Sequence, residues 1–204
     1  GSEEQRAKYL PPAVSGKTIL GWALSEPGSG SDAGSLDTTA SLQNGVYYLN
    51  GTKTFITNGS IADSVVVFAT TDKKLGQKGI TGFIVDQGSV GFRARKQLGK
   101  LGIRGSDTAE LTFRGTPIPM ENRLGEEGKG FKYAMEILNS SRIMVAAQSV
   151  GIGQAALDTA IRYCQQRHSF GIPISRHQAI QFMLADMATD MYASRIMTFN
   201  AANL

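Results

Sequence analysis

The chain has 204 residues, of which 41% are hydrophobic and 19% charged, and a formal charge of +4, values that fit one or two globular domains. Its 24 glycines follow no collagen-like period or low-complexity tract, no apolar stretch reaches membrane-spanning length, and no charged-then-apolar leader opens it. The single Cys164 excludes an intramolecular disulfide and fits a reducing compartment, and His168 and His177 lack acidic or thiol partners at metal-ligand spacing.

In chain order, Gly1-Ser2 reads as the remnant of a cleaved tag, and residues 3–117 read as a β-domain. Runs rich in β-branched and aromatic residues predict strands over 18–24, 46–49, 64–69, 82–85 and 109–113. Gln43-Asn44-Gly45 predicts a hairpin, because Asn-Gly suits a type I′ turn. Short strands with such turns imply an antiparallel β-barrel or sandwich. After Pro117 the pattern becomes helical, and residues 118–204 read as a second, helical domain. Phe131, Met135, Leu138, Val145, Ile152, Leu157, Ile161 and Cys164 recur at helical spacings without proline, predicting a helix of roughly 35 residues, about 50 Å long. Phe170-Gly-Ile-Pro-Ile174 breaks it, and a second helix is expected from an N-cap at Ser175 to the chain end. Ile180, Met183, Met187 and Met191 then need partners that two helices cannot supply, so the α+β chain is expected to end in an incomplete four-helix bundle.

Two segments carry chemistry: Trp22-Ala-Leu-Ser-Glu-Pro-Gly-Ser-Gly-Ser-Asp32 and Phe55-Ile-Thr-Asn-Gly59. Each ends an apolar run with residues that expose backbone N–H groups and hydroxyls, which suits a flat cofactor with polar edges and phosphates. Gly28 and Gly30 allow positive φ and close approach, and Ser25, Ser29, Ser31 and Thr57 supply hydroxyls. Taken singly, each segment is equally an ordinary turn at a strand end. The basic run Arg93, Arg95, Lys96, Lys100 and Arg104 reads first as a solvated strand edge, and otherwise as a surface for a phosphate-bearing ligand, a subunit or nucleic acid.

Read together, Leu24-Ser-Glu-Pro-Gly-Ser-Gly-Ser-Asp32, Asn50-Gly-Thr-Lys-Thr-Phe-Ile-Thr-Asn-Gly59, Lys78-Gly-Ile-Thr-Gly-Phe-Ile-Val85, Leu98-Gly-Lys-Leu-Gly-Ile-Arg-Gly-Ser106 and Arg167-His-Ser-Phe-Gly171 resemble an acyl-CoA dehydrogenase. The Lys78-Gly-Ile-Thr81 stretch, Leu138-Asn-Ser-Ser-Arg-Ile-Met-Val-Ala-Ala-Gln148 and Phe199-Asn-Ala-Ala-Asn-Leu204 resemble the short- and branched-chain members. The resemblance extends over essentially the whole chain. It implies the family's middle β-domain and the first two helices of its C-terminal domain, without the N-terminal helices or the last two. FAD would contact Trp22, Leu24, Ser25, Gly30, Ser31, Phe55, Ile56 and Thr57, with Phe55 standing where many members carry Trp. Arg167, Ser169, Phe170 and Gln178 match positions that meet the adenine-dinucleotide part of the flavin of a neighbouring subunit. Arg167 suits a pyrophosphate, although by spacing alone it is a cation at a helix C-terminus. Acyl-CoA would meet Ser31, Gln77, Phe131, Asn139 and Arg142, with Asn139 replacing an aspartate of some members.

The reaction so implied is α,β-dehydrogenation of a thioester in a homo-oligomer, a dimer of dimers, that passes electrons to an electron-transferring flavoprotein. Its setting would be the cytoplasm of a bacterium or the mitochondrial matrix of a eukaryote. The base is a glutamate that most members place downstream of these residues and a minority place just before the arginine matching Arg142, where this chain has Ser141. No catalytic residue is therefore expected here, the chain by itself is expected not to dehydrogenate acyl-CoA, and it is expected to retain FAD weakly or not at all. Acyl-CoA and nitroalkane oxidases share the fold, as does a DNA-repair-associated branch, although +4 without a long basic tract gives nucleic-acid binding little support.

Overall fold

A computed structural model describes residues 1–204, which fall into two compact units, Gly1–Met135 and Glu136–Leu204. The first unit opens on a helix, α1 (Glu3–Val14), followed by β1 (Leu20–Ala23), β2 (Thr39–Gln43), β3 (Val46–Thr57), β4 (Ser64–Thr70), β5 (Ile80–Asp86), β6 (Phe92–Lys96), β7 (Thr108–Pro119) and β8 (Arg123–Leu124). A long helix, α2 (Gly130–Gln166), then leads to the short strands β9 (His168–Ser169) and β10 (Ile172–Pro173) and to α3 (Gln178–Ala202).

The α+β class stands, but in place of the expected antiparallel β-barrel or sandwich the chain forms a mixed sheet that does not close into a barrel. One eight-stranded sheet runs β6-β7-β3-β2-β4-β5-β8, with β6 and β8 as free ends and β1 pairing β4 off this path. The pairing is mixed, because β1 lies parallel to β4 and β2 meets β4 in parallel at Thr39 and Thr70. Alternation and Asn-Gly turns identify hairpin neighbours only; the long 24–38 connection lets β1 and β2 both return to β4. Where a hairpin does form, it follows the sequence. Asn44 and Gly45 both take positive φ, and β2 pairs β3 in register from Gln43 opposite Val46.

Burial explains the strand compositions. β4 and β5 are buried along nearly their whole length and read as continuous apolar runs, whereas β7 alternates. Tyr47, Leu49, Val67, Phe83, Val85 and Leu111 lie at the centre of the core. Tyr47 is almost fully buried, yet its hydroxyl donates to Glu127 Oε2 at 2.7 Å.

Helix α1 has no counterpart in the sequence reading, because Pro11 and Pro12 mask it. Its N-terminus is a capping box: the Ser2 side chain accepts from the Gln5 N–H, and Gln5 Oε1 accepts from the Ser2 N–H. The Gln5 amide then donates to the carbonyls of Glu121 and Arg123.

Helices α2, whose first turns belong to the first unit, and α3 are the expected two long helices, α2 being 37 residues or about 55 Å long. Helix α3 starts later than expected. Its N-cap position is His177, without a side-chain cap bond, and Ser175 sits in a preceding 3-10 turn. Among residues 136–204 only Leu157 and Cys164 are buried. No helix is long and apolar enough to cross a membrane.

Candidate functional site

The ends of β1 and β3 open onto a cleft of about 460 Å³ lined by Leu20, Gly21, Trp22, Leu24, Ser25, Phe55, Ile56, Thr57 and Asn58. Two segments some thirty residues apart in sequence thus meet at one surface. Trp22 is half-buried edge-on to Phe68, and its indole N–H is buried without a hydrogen-bond partner. Leu24 and Ile56 are buried, Ser25 is half-buried, and Thr57 is exposed.

Backbone geometry at the cleft is unusual where the sequence looked ordinary. The register of β3 against β7 shifts between Lys53 and Ile56, and within this bulge Phe55 takes φ +57. An aromatic residue is held in a left-handed conformation with 71% of its surface exposed. Asn58 also takes positive φ, and its N–H donates to the Asp107 carbonyl at 3.1 Å. The Asp107 carboxylate accepts from the Ser60 N–H at 2.9 Å and the Ser60 hydroxyl at 2.7 Å, with Lys96 Nζ at 3.7 Å. Burial pushes the Asp107 carboxyl up, but the Ser60 donors and Lys96 outweigh it and hold it below the usual carboxylate range.

Glu26 and Lys53, which the sequence reading did not single out, tie the cleft together. Lys53 Nζ donates to the Leu24 carbonyl at 3.0 Å and to Glu26 Oε1 at 2.7 Å, and both side chains are almost wholly buried. Burial brings the Lys53 ammonium down to about 8 despite its partner. Burial also opposes the Glu26 charge, but Lys53 and the N–H groups of Thr38 and Asp37 more than compensate and lower that carboxyl. A lysine within a strand normally reads as solvent-facing; the clue was a charge within an otherwise alternating buried face.

The remaining predicted residues stand elsewhere. Gly30 and Ser31 are exposed and do not line this cleft. Neither Gly28 nor Gly30 uses positive φ, and a Cβ at either would meet no protein atom within 4 Å, so nothing within this chain requires glycine there. Gln77 lies on a 3-10 segment, Lys73–Gly79, with its side chain against Gly34 beyond the Ser31 turn. Phe131 is half-buried in the first turn of α2. Arg142 and Asn139 are exposed on α2 and pair with each other at 3.1 Å. Ser141 donates its hydroxyl to the Leu138 carbonyl of its own helix.

Arg167, Ser169 and Phe170 sit on the β9–β10 hairpin, and Gln178 begins α3 just after it. Phe170 and Gly171 both take positive φ at the turn, which holds Phe170 95% exposed and edge-on to His177. The basic run divides. Arg95 pairs with Glu110 and Lys96 with Asp107, while Lys100 donates to the carbonyls of Ile103 and Ser106 and to Thr108 Oγ1. Arg95 and Lys96 thus pair from an exposed strand at the sheet edge, while Lys100 is tied into its own loop. No group of three or more His, Cys, Asp or Glu side chains is placed to hold a metal.

Known proteins resemble this chain in sequence and in fold. The family model for the acyl-CoA dehydrogenase middle domain matches residues 21–116, and that for the acyl-CoA dehydrogenase C-terminal domain matches residues 128–204. An acyl-CoA dehydrogenase of Bacillus subtilis is 50% identical over 100% of this chain and 54% of its own length. A chain in the structure described as the electron transferring flavoprotein of Acidaminococcus fermentans superposes with a TM-score of 0.95 at 50% identity, covering 100% of this chain and 54% of that one. Butyryl-CoA dehydrogenase of Megasphaera elsdenii superposes with a TM-score of 0.93 at 46% identity, covering 98% and 52%. The chain spans about half the length of the relatives it matches. Its β-domain and its two helices correspond in order to two successive domains of one family, and the chain belongs to the acyl-CoA dehydrogenases.

Proposed function

We propose that this chain supplies the flavin-facing half of an FAD-dependent acyl-CoA dehydrogenase acting on short or branched acyl-CoA thioesters. The single observation that carries the proposal is the convergence of Trp22, Leu24 and Ser25 with Phe55, Ile56 and Thr57 on one cleft. The cleft fits a flat, polar-edged ring. It offers an exposed aromatic face at Phe55, hydroxyls at Ser25 and Thr57, and a neighbouring turn left open at Gly28 and Gly30. Bound FAD supplies the two-electron acceptor for the substrate's β-hydride. Ser25 and Thr57 orient the ring edge, and Phe55 covers one face and excludes water. Gly30 and Ser31 extend the cofactor contacts along the same loop.

Arg167, Ser169, Phe170 and Gln178 meet the dinucleotide portion of the flavin of a neighbouring subunit, the guanidinium suiting its pyrophosphate. Ser31, Gln77, Phe131, Asn139 and Arg142 contact the acyl-CoA. Ser141 is not the base: it lacks a carboxylate, and its hydroxyl is engaged by Leu138. The same reading takes residues 3–117 as the middle domain and 118–204 as two helices of a four-helix domain, in a homo-oligomer that is a dimer of dimers. The similarity to a chain from an electron transferring flavoprotein structure supports an electron-transferring flavoprotein as the electron acceptor. Relatives that are bacterial or named mitochondrial support a bacterial cytoplasm or a mitochondrial matrix as the setting.

Trp22 is the only tryptophan and lines the cleft, so its fluorescence tests the reading. Added FAD is expected to quench it saturably and reversibly, without copurifying. A linear, unsaturable response indistinguishable from that of free tryptophan would overturn the assignment.

A further inference from the structure

The two cleft-lining segments are joined through one buried side chain. The Lys53 ammonium bonds the carbonyl just before Ser25 and the carboxylate just after it, at 3.0 and 2.7 Å. The next strand residue, Thr54, donates its N–H to the Ser25 carbonyl at 2.9 Å. That N–H is available because the β3–β7 register breaks between Lys53 and Ile56. Three bonds therefore clamp Leu24-Ser25-Glu26 onto the two residues that immediately precede Phe55. The far side of the clamp is also occupied: Glu26 Oε2 accepts from the Asp37 N–H at 2.6 Å and Oε1 from the Thr38 N–H at 3.1 Å. Glu26 thus anchors both ends of the glycine-rich turn as well as Lys53.

A buried ion pair loses hydration on both partners, and an apolar pair of similar volume would commonly be as stable. Shape filling alone therefore does not require these charges. What they add is direction, since an ammonium with two fixed acceptors sets where both neighbours of Ser25 lie. We propose that Lys53, acting through Glu26 and the Leu24 carbonyl, is a positioning residue that fixes Ser25 relative to Phe55–Thr57 and so preorganises the ring-binding cleft. The inference rests on reading that cleft as the flavin site.

The test titrates FAD into the 204-residue chain while following Trp22 emission, using the parent, the double variant Lys53→Met with Glu26→Gln, and Glu26→Asp. The double variant removes both charges at nearly constant size, and Glu26→Asp keeps both charges but shortens the reach. Far-UV circular dichroism reports whether each folds. Affinity for FAD is expected to fall at least tenfold in the double variant and at least threefold in Glu26→Asp, with secondary structure retained. Affinity within twofold of the parent in a folded variant would overturn the proposal, and Glu26→Asp decides alone if the double variant does not fold. If the parent shows no saturable response, the flavin reading itself fails. The clamp is then judged by hydrogen exchange at the Thr54 amide: at least tenfold faster exchange in Glu26→Asp supports it, and unchanged exchange refutes it.

Discussion

Phe55 combines two costs, an exposed aromatic surface and a left-handed backbone. A non-glycine residue in such a region costs of order 1–3 kcal/mol, partly offset on replacement by the freedom glycine gains when unfolded. Phe55→Gly is therefore expected to leave stability equal to the parent's or raise it by about 1 kcal/mol in urea unfolding. It should at the same time weaken the FAD response of Trp22, because the aromatic face is gone. Asp107 presents the opposite case, a buried carboxylate whose bonds hold the 57–60 turn. Its folded pKa lies below the unfolded one, so its stabilisation is present above an unfolded value of about 3.9 and is lost as pH falls through the folded value. Asp107→Asn is expected to cost about 1–3 kcal/mol at neutral pH. Urea midpoints of the parent and the variant should converge as pH drops below about 4.

Among the elements, the start of α2 is set by contact with β5. A Cβ on Gly130 would come within 2.8 Å of Thr81 and Gly82 backbone atoms, and backbone cannot swing aside as a side chain can. Gly130→Ala should destabilise the chain by about 1–3 kcal/mol, read as a lower urea midpoint at unchanged slope. Much at this scale was legible in the sequence. Asn44-Gly45 specified its hairpin through the positive φ both residues adopt, and the apolar period over 131–164 specified α2. Other elements were hidden for definite reasons. Pro11-Pro12 concealed α1, whose capping box also uses Ser2. The parallel β1–β4 pairing leaves no trace in alternation, because a strand's own pattern does not name its neighbour. The cleft was half visible: glycine and hydroxyl residues at strand ends marked Trp22–Ser25 and Phe55–Thr57. The Glu26–Lys53 bond was less visible: Lys53 falls on the same strand face as Tyr47 and Leu49, but that alternation does not name its partner.

Over the whole molecule, burial is distributed unevenly. The sheet unit holds nearly all the buried apolar residues, whereas α3 has none and residues 136–204 contribute only Leu157 and Cys164. Amide exchange is expected to separate accordingly, with α3 amides exchanging on the order of a thousandfold faster than those of β4 and β5 under native conditions. Mass-spectrometric hydrogen exchange of the chain checks this, and equal protection in both units would contradict it. The Glu26–Lys53 bond bears on how such a protein changes over generations. Losing one partner strands a buried charge, at about 3–5 kcal/mol, against a typical total stability of about 5–15 kcal/mol. An intermediate with one partner replaced is close to unfolding, while the fully substituted pair need not be. Positions 26 and 53 are therefore expected to be inherited as a unit, and lineages that abandon one should have abandoned both.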